Sequence, residues 1–295
     1  MTRRRLARLA LLLALALPLT ALGRPSAARA VQVTWTPATP RPGDLVLVRV
    51  TGGAPDRAPE GTLDAEPLRF FPLTGGYAAL AGVDLETRPG RYPWTVTVAG
   101  PGGASTHVAG WLRVGPRAFA EERLTLPPHL VDLDPETERR ALAEGEALRI
   151  LYRLVTPGRL WREPFVPPIA GAGPGSGFGA RRVINGRPRA PHAGLDYAAP
   201  RGTPVVAANA GRVALVAEYF FPGRLVVLDH GLGLHTLYFH LDEVWVAPDE
   251  RVARGQPIGT VGATGRATGP HLHFGVQVGA ARVDPATLLQ LDLRD

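Results

Sequence analysis

The sequence predicts a mainly β protein, in which a small N-terminal antiparallel β-sandwich and a C-terminal antiparallel β-sheet domain are joined by a short helical connector. Short runs of alternating apolar and polar residues recur along the chain, and clusters of Pro, Gly and Asp separate them. The 35 Gly and 30 Pro are typical of turn-rich β structure and disfavour long helices. One stretch combines helical spacing with a capped start, so we expect helix mainly in the connector.

Residues 1–30 are interpreted as a signal peptide. Four Arg precede an apolar run over residues 9–22, and Ala28-Arg29-Ala30 offers an A-x-A cleavage site. The pattern predicts export to the periplasm or cell envelope. It leaves open both release into the medium and the choice between the Sec and twin-arginine routes. No later stretch reaches spanning length, so no membrane span is expected in the mature chain.

The formal charge of +7 belongs mainly to this leader, which holds six Arg and no acid. The remaining chain has 27 Arg against 26 acidic residues, so its charge gives no support for a nucleic-acid partner. The chain has neither Lys nor Cys. Functions that need a lysine amine are therefore excluded, and any metal site must use His and carboxylates.

Residues 31–115 are predicted to form the β-sandwich as an accessory domain. Alternating runs at 45–50, 94–98 and 107–114 lie between turn residues, at the spacing typical of a small sandwich. His107 stands alone in this region and is interpreted as a surface histidine rather than a ligand.

Residues 116–177 are predicted to form the helical connector and a Pro/Gly-rich linker. Asp134 suits the N-cap and Pro135 the first helical position, with two acids in the first turn. Pro157-Gly158 should stop the helix, and residues 164–180 favour irregular backbone. Four residues share the apolar face of the helix: Leu148, Leu151, Tyr152 and Val155.

Residues 178–295 are predicted to form the C-terminal β domain. Its candidate strands are 203–207, 212–219, 224–229, 234–240, 257–261 and 271–278. The turn Gly231-Leu232-Gly233 should join two of them as a hairpin.

Three elements of this domain carry metal-binding residue types. On strand 271–278, His271 and His273 point to the same face, opposite an apolar stripe. His192 and Asp196 also share a face if their segment is extended, and Gly194 between them leaves room for an ion. Two His and one Asp make a tetrahedral zinc set with an open fourth position. Taken separately, each motif has another interpretation. His271 and His273 could equally lie on a polar, solvent-facing side of their strand, and His192 could equally be a loop histidine beside an unrelated Asp196.

The third element is the strand at 234–240. Alternation places Tyr238 and His240 on one face and His235 and Phe239 on the other. His235 is therefore interpreted as a packed histidine, and His230, at the entry of the hairpin, as structural. Further histidines near a zinc set could move protons and stabilise charge.

At these residues the chain resembles the lysostaphin/LytM-type zinc metallopeptidases, which cleave stem or bridge peptides of peptidoglycan. The resemblance covers about the last 120 residues, with the motifs in the same order. They are Phe178-Gly179-Ala180-Arg181, His192-Ala193-Gly194-Leu195-Asp196, Gly202-Thr203-Pro204-Val205, Asp229-His230-Gly231, Thr236-Leu237-Tyr238-Phe239-His240-Leu241, Arg254-Gly255-Gln256-Pro257-Ile258-Gly259 and Gly265-Arg266-Ala267-Thr268-Gly269-Pro270-His271-Leu272-His273-Phe274.

The resemblance implies an exported endopeptidase with one zinc ion per chain and peptidoglycan peptides as substrate. It implies His192, Asp196 and His273 as zinc ligands, His271 as the general base and His240 as a second catalytic histidine. This chain departs from the family pattern in two places. Gly275 follows the H-x-H-F stretch where many members have Glu, and residues 183–191 lack the Tyr that some members have before the first zinc His.

Three other functions deserve comparison. A catalytically silent LytM-type scaffold or activator of other wall hydrolases would have lost metal ligands, whereas all five positions are intact here. A lipoyl or biotinyl carrier shares some of the turn motifs but needs a lysine, which the chain lacks. A peptidase of secreted proteins would use the same site with a different substrate groove. No pattern in the sequence specifies an oligomeric state.

Overall fold

In the computed structural model, eight strands form an N-terminal sandwich of two four-stranded antiparallel sheets. The structure describes residues 30–53, 57–100, 103–173 and 175–291, so the predicted leader lies outside the described residues except for Ala30. The strands are β1 (Gln32–Thr36), β2 (Leu45–Thr51), β3 (Glu60–Leu63), β4 (Glu66–Pro67), β5 (Phe71–Leu73), β6 (Gly76–Gly82), β7 (Gly90–Ala99) and β8 (Ser105–Val114). One sheet has the order β1-β2-β6-β5 and the other β4-β3-β7-β8.

Strand β2 is buried on both faces, which explains its nearly continuous apolar sequence. Val46 and Val48 point into the core between the two sheets. Leu45 and Leu47 point the other way, into a second core that they share with Trp161 of the connector and with residues of the C-terminal domain such as Phe274. The sandwich is therefore packed against the rest of the chain through its first sheet.

The connector contains strand β9 (Glu121–Leu124), a 3-10 turn at Pro128–Leu130 and helix α1 (Pro135–Arg153). The carboxylate of Asp134 accepts hydrogen bonds from the backbone N–H groups of Glu136 and Thr137, which confirms the predicted N-cap. The helix ends at Arg153, and the backbone at Leu154 is extended. The helix therefore stops before Pro157-Gly158, where the sequence predicted its end.

Strand β9 was not predicted from the sequence. It pairs in parallel with β10 (Arg181–Ile184), which pairs in turn with β11 (Arg187–Pro188). Its sequence, Glu-Glu-Arg-Leu, has little strand propensity and no fully buried residue, so neither composition nor alternation marks it.

The Pro/Gly-rich segment between α1 and β10 is irregular, as expected, yet it contributes to the core. Trp161, Phe165 and Ile169 are buried. Trp161 makes an edge contact with Phe71 of the sandwich, at 5.6 Å between ring centroids. This segment thus links the two domains by packing as well as by chain connection.

A nine-stranded sheet forms the C-terminal domain. Its elements are β12 (Gly194–Ala198), β13 (Pro204–Val206), β14 (Gly211–Tyr219), β15 (Gly223–Asp229), β16 (Leu234–Val244), β17 (Arg251–Val252), β18 (Pro257–Val261), β19 (His271–Val278) and β20 (Ala281–Val283), followed by helix α2 (Pro285–Gln290). The central order is β12-β19-β16-β15-β14-β17, with every pair antiparallel. The predicted hairpin joins β15 to β16.

The two faces of this sheet have different partners. Tyr238, Leu272 and Phe274 point into the core shared with the sandwich. The opposite face carries Leu237 and Phe239 and packs against α1. These observations confirm the predicted fold class. Among the described residues, no helix is long and apolar enough to cross a membrane.

Candidate metal centre

The three predicted ligands meet at the edge of the sheet where β12 pairs with β19. Asp196 lies directly opposite His273, and His192 is two residues before β12 begins. Nε2 of His192 lies 2.9 Å from Oδ1 of Asp196 and 2.8 Å from Nδ1 of His273. Nδ1 of His273 lies 2.9 Å from the same Oδ1. A Cβ atom at Gly194 would lie 2.7 Å from the His273 ring, so only glycine leaves room for this approach.

This donor set suits a zinc ion. Within the described ranges, it is the one group of three or more His, Asp or Glu residues whose ligand atoms all lie within 4.8 Å of one another. In tetrahedral coordination with bonds of about 2.0–2.1 Å, ligand atoms are about 3.3 Å apart. The three atoms lie 2.8–2.9 Å apart, so an increase of about half an ångström in each separation would accommodate the ion.

The protonation states also suit metal binding. Burial opposes ionisation of Asp196, but hydrogen bonds to His192 and His273 hold the pKa of its carboxyl well below the usual range. Burial lowers the pKa of His273 to about 4. At neutral pH the site therefore offers a carboxylate and a neutral imidazole, which are the forms that bind a metal.

His271 lies beside the ligands. Its Nδ1 donates a hydrogen bond to the carbonyl of Gly269 at 2.8 Å, and its Nε2 lies 3.9 Å from Oδ1 of Asp196. Since Nδ1 carries the proton in the neutral ring, Nε2 presents a lone pair toward the metal centre. The side chain is 17% exposed, so solvent and substrate can reach it.

His240 reaches the metal centre because of a β-bulge. The prediction from alternation, which placed His240 on the same face as Tyr238, is therefore wrong. Its φ is +62°, and an extra residue of β16 shifts the register opposite β15. The bulge turns its ring away from the face of Tyr238. The ring centroid lies 4.7 Å from that of His271 and 6.2 Å from that of His273.

The environment of His240 keeps the ring neutral. Burial lowers its pKa to about 3, and His273 and His271 add to this effect. Its Nδ1 donates to the carbonyl of Thr264 at 2.8 Å, so Nε2 is again the free acceptor.

The three histidines that were predicted to lie outside the centre do so. His235 is buried beside Tyr152 of α1, at 6.1 Å between rings. His230 is fully buried between the carbonyl of Ala210 and the hydroxyl of Thr236. His107 is exposed and is hydrogen-bonded to a Thr hydroxyl on the neighbouring strand.

One residue at the centre, Arg182, was not predicted from the sequence. Its Nη2 donates to Oδ2 of Asp196 at 3.3 Å, the oxygen that the two imidazoles do not use. Its Nε donates to Glu122, which lies opposite it on β9, at 2.9 Å. Arg182 thus orients a ligand from outside the ligand set. No local signal could reveal it, because its partner belongs to an unpredicted strand about 60 residues earlier.

Gly275, one of the two departures from the family pattern, lies on the same face of β19 two residues after His273. A Cβ there would be 3.4 Å from the side chain of Leu237. In this chain, Gly275 lies against the apolar side chain of Leu237, which packs beneath α1. The position therefore carries no carboxylate.

The chain is similar to several known proteins. Residues 190–285 match the profile of Peptidase family M23. A crystal structure from Pseudomonas aeruginosa assigned to peptidase M23 is similar over 85% of this chain and 95% of its own, with 30% identity and a TM-score of 0.64. The peptidoglycan DD-endopeptidase ShyB of Vibrio cholerae is 43% identical over 120 residues, which are 40% of this chain and 27% of ShyB. The DD-carboxypeptidase/endopeptidase Mpg of Neisseria meningitidis is 41% identical over 97 residues, which are 33% of this chain and 22% of Mpg.

The chain belongs to peptidase family M23, and the family predicted from the sequence is confirmed. The chain spans 27% or less of the length of these two curated relatives. The structure from Pseudomonas aeruginosa matches it over most of both chains, so the likeness includes residues outside the M23 match.

Proposed function

We propose that this protein is an exported zinc metalloendopeptidase that hydrolyses cross-links or stem peptides of peptidoglycan. The observation that carries the proposal is the convergence of His192 Nε2, Asp196 Oδ1 and His273 Nδ1, all 2.8–2.9 Å apart, next to two histidines that are not ligands. Membership of family M23 and the names of the relatives support a peptidase and its substrate class.

Zinc is the proposed metal because two imidazoles and one carboxylate form the usual three-residue set of a catalytic zinc site. Those three side chains would hold one ion per chain. A zinc ion supplies a Lewis acid that polarises a peptide carbonyl and makes water more acidic.

His271 is the proposed general base. Its Nε2 lone pair faces the ligands, so it can take a proton from the attacking water and pass it to the leaving amine. Its bond to the carbonyl of Gly269 fixes the ring in the tautomer that this role requires.

His240 is proposed to orient the attacking water. The neutral ring uses its N–H for Thr264, so Nε2 can accept a hydrogen bond but cannot donate one to a developing oxyanion. This geometry favours a role for His240 in orienting the attacking water over a role in stabilising the oxyanion.

Export and location in the periplasm or cell envelope are proposed from the leader pattern of residues 1–30. The alternative of a catalytically silent scaffold is not favoured, because no ligand or catalytic position is lost.

Digestion of purified peptidoglycan tests the proposal. The zinc-loaded protein should release fragments in which mass spectrometry finds new amino and carboxyl termini within the peptides, and chelator-treated protein should release none until zinc is restored. Absence of peptide fragments from the zinc-loaded protein, or equal release after chelation, would contradict it.

A further inference from the structure

Two arginines lie side by side on the hairpin that borders the metal centre. The N–H of Arg189 donates to the carbonyl of Arg182 at 2.9 Å, adjacent to the registered pair Val183 and Pro188. Residues directly opposite on antiparallel strands project to the same side. Arg189 therefore projects to the same side of the hairpin as Arg182, which reaches Asp196. Its Nη2 donates to the carbonyl of Val131 at 3.3 Å and leaves its other guanidinium N–H groups available to a ligand.

A third arginine lies on the loop that precedes His271. The N–H of Arg266 donates to the carbonyl of Phe221, and its guanidinium stacks on that ring at 4.1 Å. Two residues earlier in the same loop, the carbonyl of Thr264 holds His240. Arg266 is therefore fixed beside the catalytic histidines rather than extended into solvent.

Only one of these three arginines has acidic partners among the described residues. Arg182 pairs with Glu122 and Asp196. No carboxylate of the described residues lies within 4.0 Å of the guanidinium of Arg189 or Arg266. Burial, with Arg182 and Arg189 nearby, lowers the pKa of Arg266 to about 10.

The concentration of like charge is unfavourable for the fold. Cations directly opposite on neighbouring strands repel each other, and partial burial weakens the screening by water. Such departures from local rules occur at functional sites, where a ligand offsets their cost. Guanidinium groups bind carboxylates with charge-assisted and often paired hydrogen bonds.

We propose that Arg189 and Arg266 bind a free carboxylate of the substrate peptide beside the scissile bond, so that the enzyme selects acidic peptides. This inference rests on the proposed function and names the substrate class within it. The carboxylate could come from an acidic side chain or from the C-terminus of the peptide, and the test separates the two.

Binding of synthetic peptides tests selectivity without catalysis. The probes are fluorescent stem-type peptides that contain a γ-linked D-glutamate and an N-methylated, uncleavable bond. Each is made with a carboxylate or carboxamide at the glutamate, and with a free or amidated C-terminus. Fluorescence anisotropy with the zinc-loaded protein should show about ten-fold tighter binding of one carboxylate form over its amide. The position at which amidation weakens binding identifies the source.

Variants of Arg189 and Arg266 test whether these two residues cause the preference for the carboxylate. R189Q/R266Q should bring the affinity ratio of carboxylate to amide close to one, and each single variant should lower it partly. R113Q, which removes an exposed arginine of β8, is the matched control and should keep the ratio. With cleavable peptides, R189Q/R266Q should raise KM more than it lowers kcat.

Equal binding of both forms by the wild type, no binding of any form, or an unchanged ratio in R189Q/R266Q would overturn the inference. Failure of the protein to digest peptidoglycan while it still binds the carboxylate peptide selectively would overturn the proposed function and leave this inference standing.

Discussion

The four histidines of the metal centre fall into two groups according to what their rings contact. His271 and His240 both donate Nδ1–H to backbone carbonyls, so each offers Nε2 as a base. His192 faces the centre with Nε2 and His273 with Nδ1, both close to the carboxylate of Asp196. Contact with this carboxylate, rather than with a backbone carbonyl, separates the proposed ligands from the proposed bases, and the two groups should respond differently to substitution.

Replacement of a ligand should remove metal and activity together. We expect His273→Ala and Asp196→Ala to lose zinc, because two donors hold the ion too weakly. His271→Ala should keep zinc but lose activity by about 10²–10⁴-fold, the usual contribution of a general base. Zinc content by mass spectrometry and release of peptidoglycan fragments measure the two effects. His107→Ala, far from the centre, is the control. Full activity in His271→Ala would refute its role.

His230 should make stability depend on pH. Burial lowers its pKa to about 4, whereas an unfolded histidine has a pKa of about 6.5. Between these values the unfolded state binds more protons, so the contribution is complete above pH 6.5 and is lost as the pH falls toward 4. Its size is about 3 kcal/mol.

Urea unfolding of the zinc-free protein measures this dependence. The difference in unfolding free energy between wild type and His230→Gln should shrink steadily from pH 7 to pH 4.5. His107→Gln, which replaces an exposed histidine of the sandwich, is the control variant. A difference that stays constant over this range would mean that His230 does not titrate as proposed.

At the scale of the element, alternation predicted most of the C-terminal sheet but not the geometry of β16. Strand 271–278 agrees with the prediction because Leu272, Phe274 and Val276 are buried at alternate positions. Strand 257–261 also agrees, although it is buried on both faces. The bulge at His240 breaks that period, and only the family resemblance pointed to this residue. The prediction of His192, Asp196 and His273 as ligands came from two separate motifs together with the family resemblance. The pairing of β9 with β10, which places Arg182, depends on long-range contacts that leave no local signal.

Because of the bulge, we expect an unusual order of stability among variants at His240. At φ +62° a β-branched residue is strained, whereas Asn tolerates the left-handed region. His240→Val should therefore be less stable than His240→Asn by about 1–2 kcal/mol. His271, which has ordinary strand geometry, is the matched control, and there Val should be at least as stable as Asn. Chemical denaturation of the four variants gives the comparison. The same order at both positions would contradict a strained backbone at His240.

At the scale of the whole molecule, the sandwich and the C-terminal domain share one core. Leu47 of β2 belongs to the same buried cluster as Trp161 and Phe274. Ion pairs reinforce the junction, since Arg282 donates to both carboxylate oxygens of Asp84, at 2.9 and 2.7 Å. We infer that the two domains unfold as one cooperative unit and that the metal centre depends on both.

Adjacent residues of β2 provide the test, because they face different cores. Leu47→Ala opens a cavity in the shared core and should cost about 2–5 kcal/mol. Val48→Ala opens one inside the sandwich, where it should cost about 2 kcal/mol. If the domains are coupled, calorimetry will show one transition in all three proteins, with equal calorimetric and van't Hoff enthalpies, and both variants will lower its midpoint. A second transition in Val48→Ala, with the C-terminal domain melting at the wild-type temperature, would show instead that the sandwich unfolds independently and that the shared core does not couple it to the metal centre.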